Sequence, residues 1–133
     1  MSEREDRERP LALAADDDAD ILELVSFRLS QTGCDVLEAT DGQRALELAL
    51  ERQPDICVLD LKMPKLDGFS VTREIRASPG GGRVKILLLT ASAEEADVER
   101  AKEVGVDAFL RKPFNPDQLK AFVATALERL SAD

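Results

Sequence analysis

The chain has 133 residues, enough for one substantial hydrophobic core and too few for two ordinary domains. Its net charge of −9 argues against a general nucleic-acid surface and for partners with basic patches, or for cations. No apolar run approaches the ~18 residues needed to span a bilayer and the N-terminus does not read as a signal peptide, so no membrane is implied and the cytoplasm is the default location.

With no histidine anywhere, imidazole acid–base catalysis and a phosphohistidine on this chain are excluded, and common zinc ligation loses its usual donor. The two cysteines, Cys34 and Cys57, are no disulfide framework and read as small buried hydrophobes.

In chain order, residues 1–10 alternate charges, offer nothing to bury and read as a frayed, disordered tail. Leu11–Ala15 is a first strand running into the acidic loop Asp16-Asp17-Asp18. Ile21, Leu22, Val25 and Leu29 recur at helical spacing, with Gly33 as a C-terminal stop. Val36-Leu37 is a short second strand, and Asp41-Gly42 turns into a helix with Ala45, Leu46 and Ala49 that ends before Pro54.

Ile56-Cys57-Val58-Leu59 is a short apolar run bounded by prolines, the pattern of a strand buried on both faces, and Asp60 stands at its C-terminal end. Phe69, Val71 and Ile75 suggest a brief helix that stops at Ser78-Pro79, and the following glycines, Gly80 to Gly82, read as a flexible connector. They lack the G-x-x-x-x-G-K-[ST] pattern of a phosphate loop.

Ile86 to Leu89 is a central strand ending in Thr90. Ser92-x-x-Glu95 is a capping-box pattern for a helix that runs to Gly105. Ala108-Phe109-Leu110 is the last strand. Asn115, Pro116 and Gln118 then start a helix with Leu119, Phe122, Val123, Ala126, Leu127 and Leu130 on one stripe. A single domain over residues 11–130 is expected, with 131–133 as a second tail.

Strand and helix alternate five times. Such alternation implies an α/β fold, a parallel sheet covered by helices on both faces, and five strands suit the flavodoxin-like (βα)5 order 2-1-3-4-5. In that order Asp16 and Asp17 after strand one, Asp60 after strand three, Thr90 after strand four and Lys112 after strand five fall at one edge of the sheet.

Three carboxylates at short range repel, and unless one takes a proton they require a cation. All-oxygen donors suit magnesium, which meets one or two carboxylates plus a phosphate. Carboxylates, a metal, a lysine and a hydroxyl at one strand edge are the parts of phosphoryl transfer, with a carboxylate as nucleophile. Each member also has a plainer reading: a solvated loop that caps the next helix for Asp16 to Asp20, a turn for Asp60 and Thr90, a surface charge for Lys112.

The runs L-A-L-A-A-D-D-D, V-L-D-L-K-M-P-K-L-D-G, L-L-L-T-A and F-L-R-K-P-F, in this order and at these intervals, resemble the receiver domain of bacterial two-component response regulators of the chemotaxis-receiver type. The resemblance covers Leu11 to Leu130. It implies that Asp60 accepts a phosphoryl group from a sensor histidine kinase or histidine phosphotransfer protein, and that Asp16, Asp17, Asp60 and the backbone carbonyl of Lys62 bind Mg2+. It further implies that Lys112, before a cis Pro113, pairs with the phosphoryl group. Thr90 and Phe109 would act as the switch, read out on the face of the fourth helix, fifth strand and fifth helix by a downstream effector or a second copy of the chain.

Three features depart from the commonest pattern of the family: Ala14-Ala15 in place of larger β-branched residues, Phe109 in place of tyrosine, and Lys62 and Ser92 at positions that tune phosphoryl lifetime in this family. A magnesium-dependent phosphatase using Asp60, similar to haloacid-dehalogenase enzymes, is disfavoured, because those need an acid two residues after the nucleophile and Lys62 cannot serve. An unphosphorylated scaffold is the remaining alternative. With three residues after Leu130, the chain reads as either a stand-alone regulator or a receiver fragment.

Overall fold

The computed structural model describes residues 7–91 and 94–132. Five parallel strands form one sheet: β1 (Leu11–Ala15), β2 (Asp35–Ala39), β3 (Ile56–Asp60), β4 (Lys85–Thr90) and β5 (Ala108–Arg111). The order is β2-β1-β3-β4-β5, the doubly wound, flavodoxin-like arrangement. Four helices connect them, α1 (Ala19–Gln31), α2 (Gly42–Arg52), α3 (Gly68–Ala77) and α4 (Glu95–Val104), and α5 (Pro116–Ala132) follows β5.

Every residue of the two strands β1 and β3 is buried, whereas β2 and β5, at the edges, are mostly half-buried or exposed. The central strands read as unbroken apolar runs for this reason, since helices cover both of their faces. On one face Leu13, Cys57, Leu59, Ile86 and Leu88 pack against α2, α3 and α4; on the other Ala12, Ala14, Val58, Leu87 and Leu89 pack against α1 and α5. Cys34 and Cys57 are both buried, one in each layer, as small hydrophobes. Ala14 and Ala15 are fully enclosed despite their size.

Helix starts follow local side-chain chemistry. Asp18, Asp41 and Asp67 each accept a bond from a first-turn N–H of α1, α2 and α3, satisfying donors that a helix cannot satisfy itself. At α5 the Asn115 carboxamide accepts from the Asp117 N–H while Gln118 accepts from the Asn115 N–H, a reciprocal cap. Leu119, Val123 and Ala126 of its stripe are buried; the Leu130 side chain lies outside the described residues.

Four expectations need correction. α4 starts at Glu95 with Glu94 in the cap position and no side-chain cap bond, later than a capping box from Ser92 would place it; Ser92 itself lies outside the described residues. The glycine stretch forms a 3-10 turn, Gly81–Arg83, instead of a loose connector. The Arg76 guanidinium accounts for this, donating to the carbonyls of Gly81 at 2.6 Å, Val84 at 2.7 Å and Gly105 at 3.0 Å while pairing with Asp107 at 2.8 Å. α5 continues through Ala132, into the stretch expected to be a tail, whose last residue, Asp133, lies outside the described residues.

The fourth correction concerns the N-terminal segment, of which residues 7–10 are described. Arg7 is largely buried: it pairs with Asp55 at 3.3 Å and donates to the carbonyls of Arg52 and Gln53. Asp55 in turn accepts from the Leu11 N–H at 3.0 Å, and its own N–H donates to the Leu11 carbonyl at 2.8 Å. A carboxylate 6% exposed at the amino end of the sheet needs a cation, and the charged segment supplies it. Arg7→Ala should therefore lower stability by about 2 to 3 kcal/mol in urea unfolding, well beyond the effect of an ordinary surface substitution. A loss within about 0.5 kcal/mol would mean the segment is incidental to the fold.

Candidate functional site

At the carboxyl end of the sheet, Asp16 follows β1 and Asp60 closes β3. Both carboxylates are buried, with 3% and 6% of their residue surface exposed. One oxygen from each of Asp16, Asp17 and Asp60 can be chosen so that all three lie within 4.8 Å of one another; Asp17 is the exposed member. The backbone sets this convergence. The Asp16 N–H donates to the Ala39 carbonyl at 3.1 Å, and the Leu61 N–H donates to the Leu89 carbonyl at 2.8 Å, so each acidic residue is held where its strand ends.

Lys112, just beyond β5, reaches across β4 into this cluster. Its Nζ donates to Asp16 Oδ2 at 2.8 Å and lies 3.1 Å from Asp60 Oδ1. The Lys112 N–H also donates to the Thr90 carbonyl at 2.7 Å, which fixes the root of that side chain. The other oxygen of Asp16 accepts the Asp18 N–H at 2.9 Å. The acidic triplet thus divides its work, since Asp16 and Asp17 face the cluster while Asp18 caps α1.

Burial is the main reason the Asp60 carboxyl is pushed up to about 6 from an ordinary 3.8, and the neighbouring Asp16 charge adds to it; Lys112 opposes both without cancelling them. Burial disfavours the charged Lys112 ammonium too, but its bonds to Asp16 and Asp60 outweigh that and hold its pKa above the usual lysine value. One ammonium therefore pairs with two of the three carboxylates, and the electrostatic balance remains short of positive charge.

That deficit, together with a donor set made only of hard oxygens, fits magnesium. Asp16, Asp17 and Asp60 are the side chains that would hold it. Lys62, two residues past Asp60, ends in an ammonium that cannot ligate a cation, so only its backbone carbonyl would be available to the site.

Thr90 is 1% exposed at the end of β4, beside β3. Phe109 pairs in register with Leu88 and packs, half-buried, on the α2–α3–α4 side of the sheet. Strand alternation puts Thr90 on that same side. The peptide bond between Lys112 and Pro113 is cis.

Chain pattern alone does not reveal the part played by Gly68. A Cβ there would stand 2.5 Å from Leu88 Cδ1 and 2.8 Å from the Asp60 carbonyl oxygen. Its N–H donates to the Leu61 carbonyl at 2.8 Å, so α3 begins pressed against the strand that carries Asp60. The only signal was the Asp67-Gly68 pair at a helix start, which reads equally well as an ordinary turn.

A family model for the response regulator receiver domain matches residues 12–124. The alkaline phosphatase synthesis transcriptional regulatory protein PhoP of Bacillus subtilis is 39% identical over 117 residues, covering 88% of this chain and 48% of that protein. The DNA-binding dual master transcriptional regulator RpaA of a Synechocystis strain is 38% identical over 120 residues, covering 90% and 50%. The chain spans about half the length of the curated relatives it matches.

Among solved structures, the BeF3-activated receiver domain of DrrB from Thermotoga maritima is 32% identical with a TM-score of 0.82, covering 90% of this chain and 98% of that one. The chemotaxis response regulator CheY4 of Vibrio cholerae is 31% identical with a TM-score of 0.81, covering 89% and 98%. No helix among the described residues is long and apolar enough to cross a membrane. With the same strand order and nearly the whole chain matched, this protein belongs to the response regulator receiver domain family of two-component systems, and its role is regulatory rather than catalytic.

Proposed function

We propose that this chain is a phosphoacceptor switch in which the carboxylate of Asp60 takes a phosphoryl group from a phosphohistidine of a sensor kinase or histidine phosphotransfer protein. The observation that supports this reading best is the convergence of Asp16, Asp17, Asp60 and Lys112 at one strand edge. An Asp60 oxygen attacks phosphorus, the P–N bond breaks with its electron pair going to the imidazole, and an acyl phosphate remains on the chain. Charge then spreads over the equatorial oxygens.

Magnesium, held by Asp16, Asp17, Asp60 and the Lys62 carbonyl, would neutralise part of that charge. Lys112 would leave its present bridge between Asp16 and Asp60 far enough to pair with a phosphoryl oxygen. The hydroxyl of Thr90 then has a new acceptor beside it, and Phe109, on the same side of the sheet, has a neighbour whose position has changed. A small charge event thus biases a two-state packing arrangement, which is how such switches act. The readout is the face of α4, β5 and α5, offered to a downstream effector or to a second copy in a homodimer. PhoP and RpaA are named as transcriptional regulators, which favours a regulatory effector as the output partner.

Two measurements bear on this. Incubated with a small acyl phosphate and magnesium, the wild type should gain one acid-labile phosphoryl group, and Asp60→Ala should gain none; equal uptake by the variant would end the assignment. The second is pH-dependent. Because the Asp60 pKa is about 6 in the fold against 3.8 unfolded, its contribution to stability is fully present below 3.8 and is lost as pH rises through about 6. Without divalent ions, wild type should lose up to about 3 kcal/mol relative to Asp60→Asn between pH 4 and pH 8 in urea unfolding. Magnesium at about a hundred times its dissociation constant should restore roughly 2.7 kcal/mol at pH 7.5 and far less at pH 5, where Asp60 holds a proton. Equal restoration at the two pH values would count against Asp60 as a ligand.

A further inference from the structure

The loop between β3 and α3, residues 61–67, leaves Asp60 and carries Lys62. Midway along it Lys65 has φ +73°, and the Leu66 N–H donates to the Pro64 carbonyl two residues back at 2.9 Å. That is a γ-turn of the positive-φ kind, a strained and uncommon form for a residue with a side chain. Strain of this sort persists only where surrounding structure over-determines it.

The surroundings here come from α2, an element with no residue in the acidic cluster. The Gly42 N–H donates to the same Pro64 carbonyl at 3.1 Å, so one oxygen is gripped from two sides. A Cβ on Gly42 would fall 1.8 Å from the Leu66 carbonyl oxygen and 2.8 Å from Leu66 Cβ, so the loop lies directly against the helix backbone. Asp41, which caps α2 through the Arg44 N–H at 2.8 Å, also faces Lys65 Nζ at 3.6 Å. The start of α2 therefore meets the turn at three consecutive residues, Pro64, Lys65 and Leu66.

We infer that Asp41 and Gly42 form a template that holds the loop after Asp60 in the shape its backbone needs to contribute an oxygen to a divalent cation. Gly42 is thus a positioning residue for cation binding. The inference rests on the functional reading above, in that the cation belongs beside Asp60. It adds that affinity is set in part by an element that supplies no ligand.

The test is Gly42→Ala in the full chain, with magnesium binding measured by titration calorimetry and amide hydrogen exchange followed over residues 61–68 in metal-free protein. A methyl group at position 42 must push the Leu66 carbonyl away, so magnesium affinity should fall about tenfold to a hundredfold, as for other groups that orient ligands from behind. Amides of Leu66 and Gly68 should exchange faster even without metal. Adding Lys65→Gly to Gly42→Ala removes the positive-φ penalty and lets the loop yield, so stability should recover while affinity stays low.

If Gly42→Ala does not fold, Asp41→Ala, which removes the cap and the ion pair, should weaken magnesium binding in the same direction. Affinity equal to wild type in the folded variants, or affinity that returns together with stability in the double variant, would overturn the inference. Absence of magnesium binding by the wild type would instead bring down the functional reading, and the inference with it.

Discussion

The bridge from Lys112 to the two buried carboxylates of Asp16 and Asp60 is the constraint around which the carboxyl end of the molecule is arranged. Two acids a few ångströms apart, nearly out of water, repel and lose hydration at once. A single ammonium moderates that arrangement without neutralising it, as the raised Asp60 pKa records. The fold holds this end of the sheet in a state that any added positive charge relieves.

The rest of the fold keeps that shortfall in place. Backbone bonds from Asp16 to Ala39 and from Leu61 to Leu89 tie the acidic residues to the neighbouring strands, and Gly68 brings α3 within contact of the strand that carries Asp60. At the opposite end of the sheet Asp55, bonded to Leu11 and paired with Arg7, aligns the starts of β1 and β3. Register set at one end fixes which residues emerge at the other, since a shift by one residue would turn every side chain to the wrong face. The two ends are therefore parts of one mechanical arrangement, although the acidic cluster lies at only one of them.

Much of the site was legible in the chain because its members sit at strand ends, and strand ends are marked by local signals. The apolar run before Asp60, the one before Thr90 and the one leading to Asp16 each announce where a carboxylate or hydroxyl must emerge. Less legible was the division of labour within Asp16-Asp17-Asp18, where three identical side chains take two roles according to which way the backbone turns. Arg7 and Arg76 were not legible at all. Each looks like one more charge on a polar segment, and each becomes specific only through carbonyl oxygens that other segments bring to it.

The order of elements, the cap at Asn115, the buried character of β3, and the candidate residues at strand ends all follow from the sequence by itself. These depend on periodicity and on bonds between residues a few positions apart, which the chain carries wherever it goes. Tertiary structure alone decided that Lys112 meets Asp16 across 96 residues, that Arg7 completes Asp55, and that the start of α2 abuts the turn beyond Asp60. Such contacts come from crossovers and close packing that bring distant segments to within an ångström or so of a fixed distance, a precision no local pattern encodes.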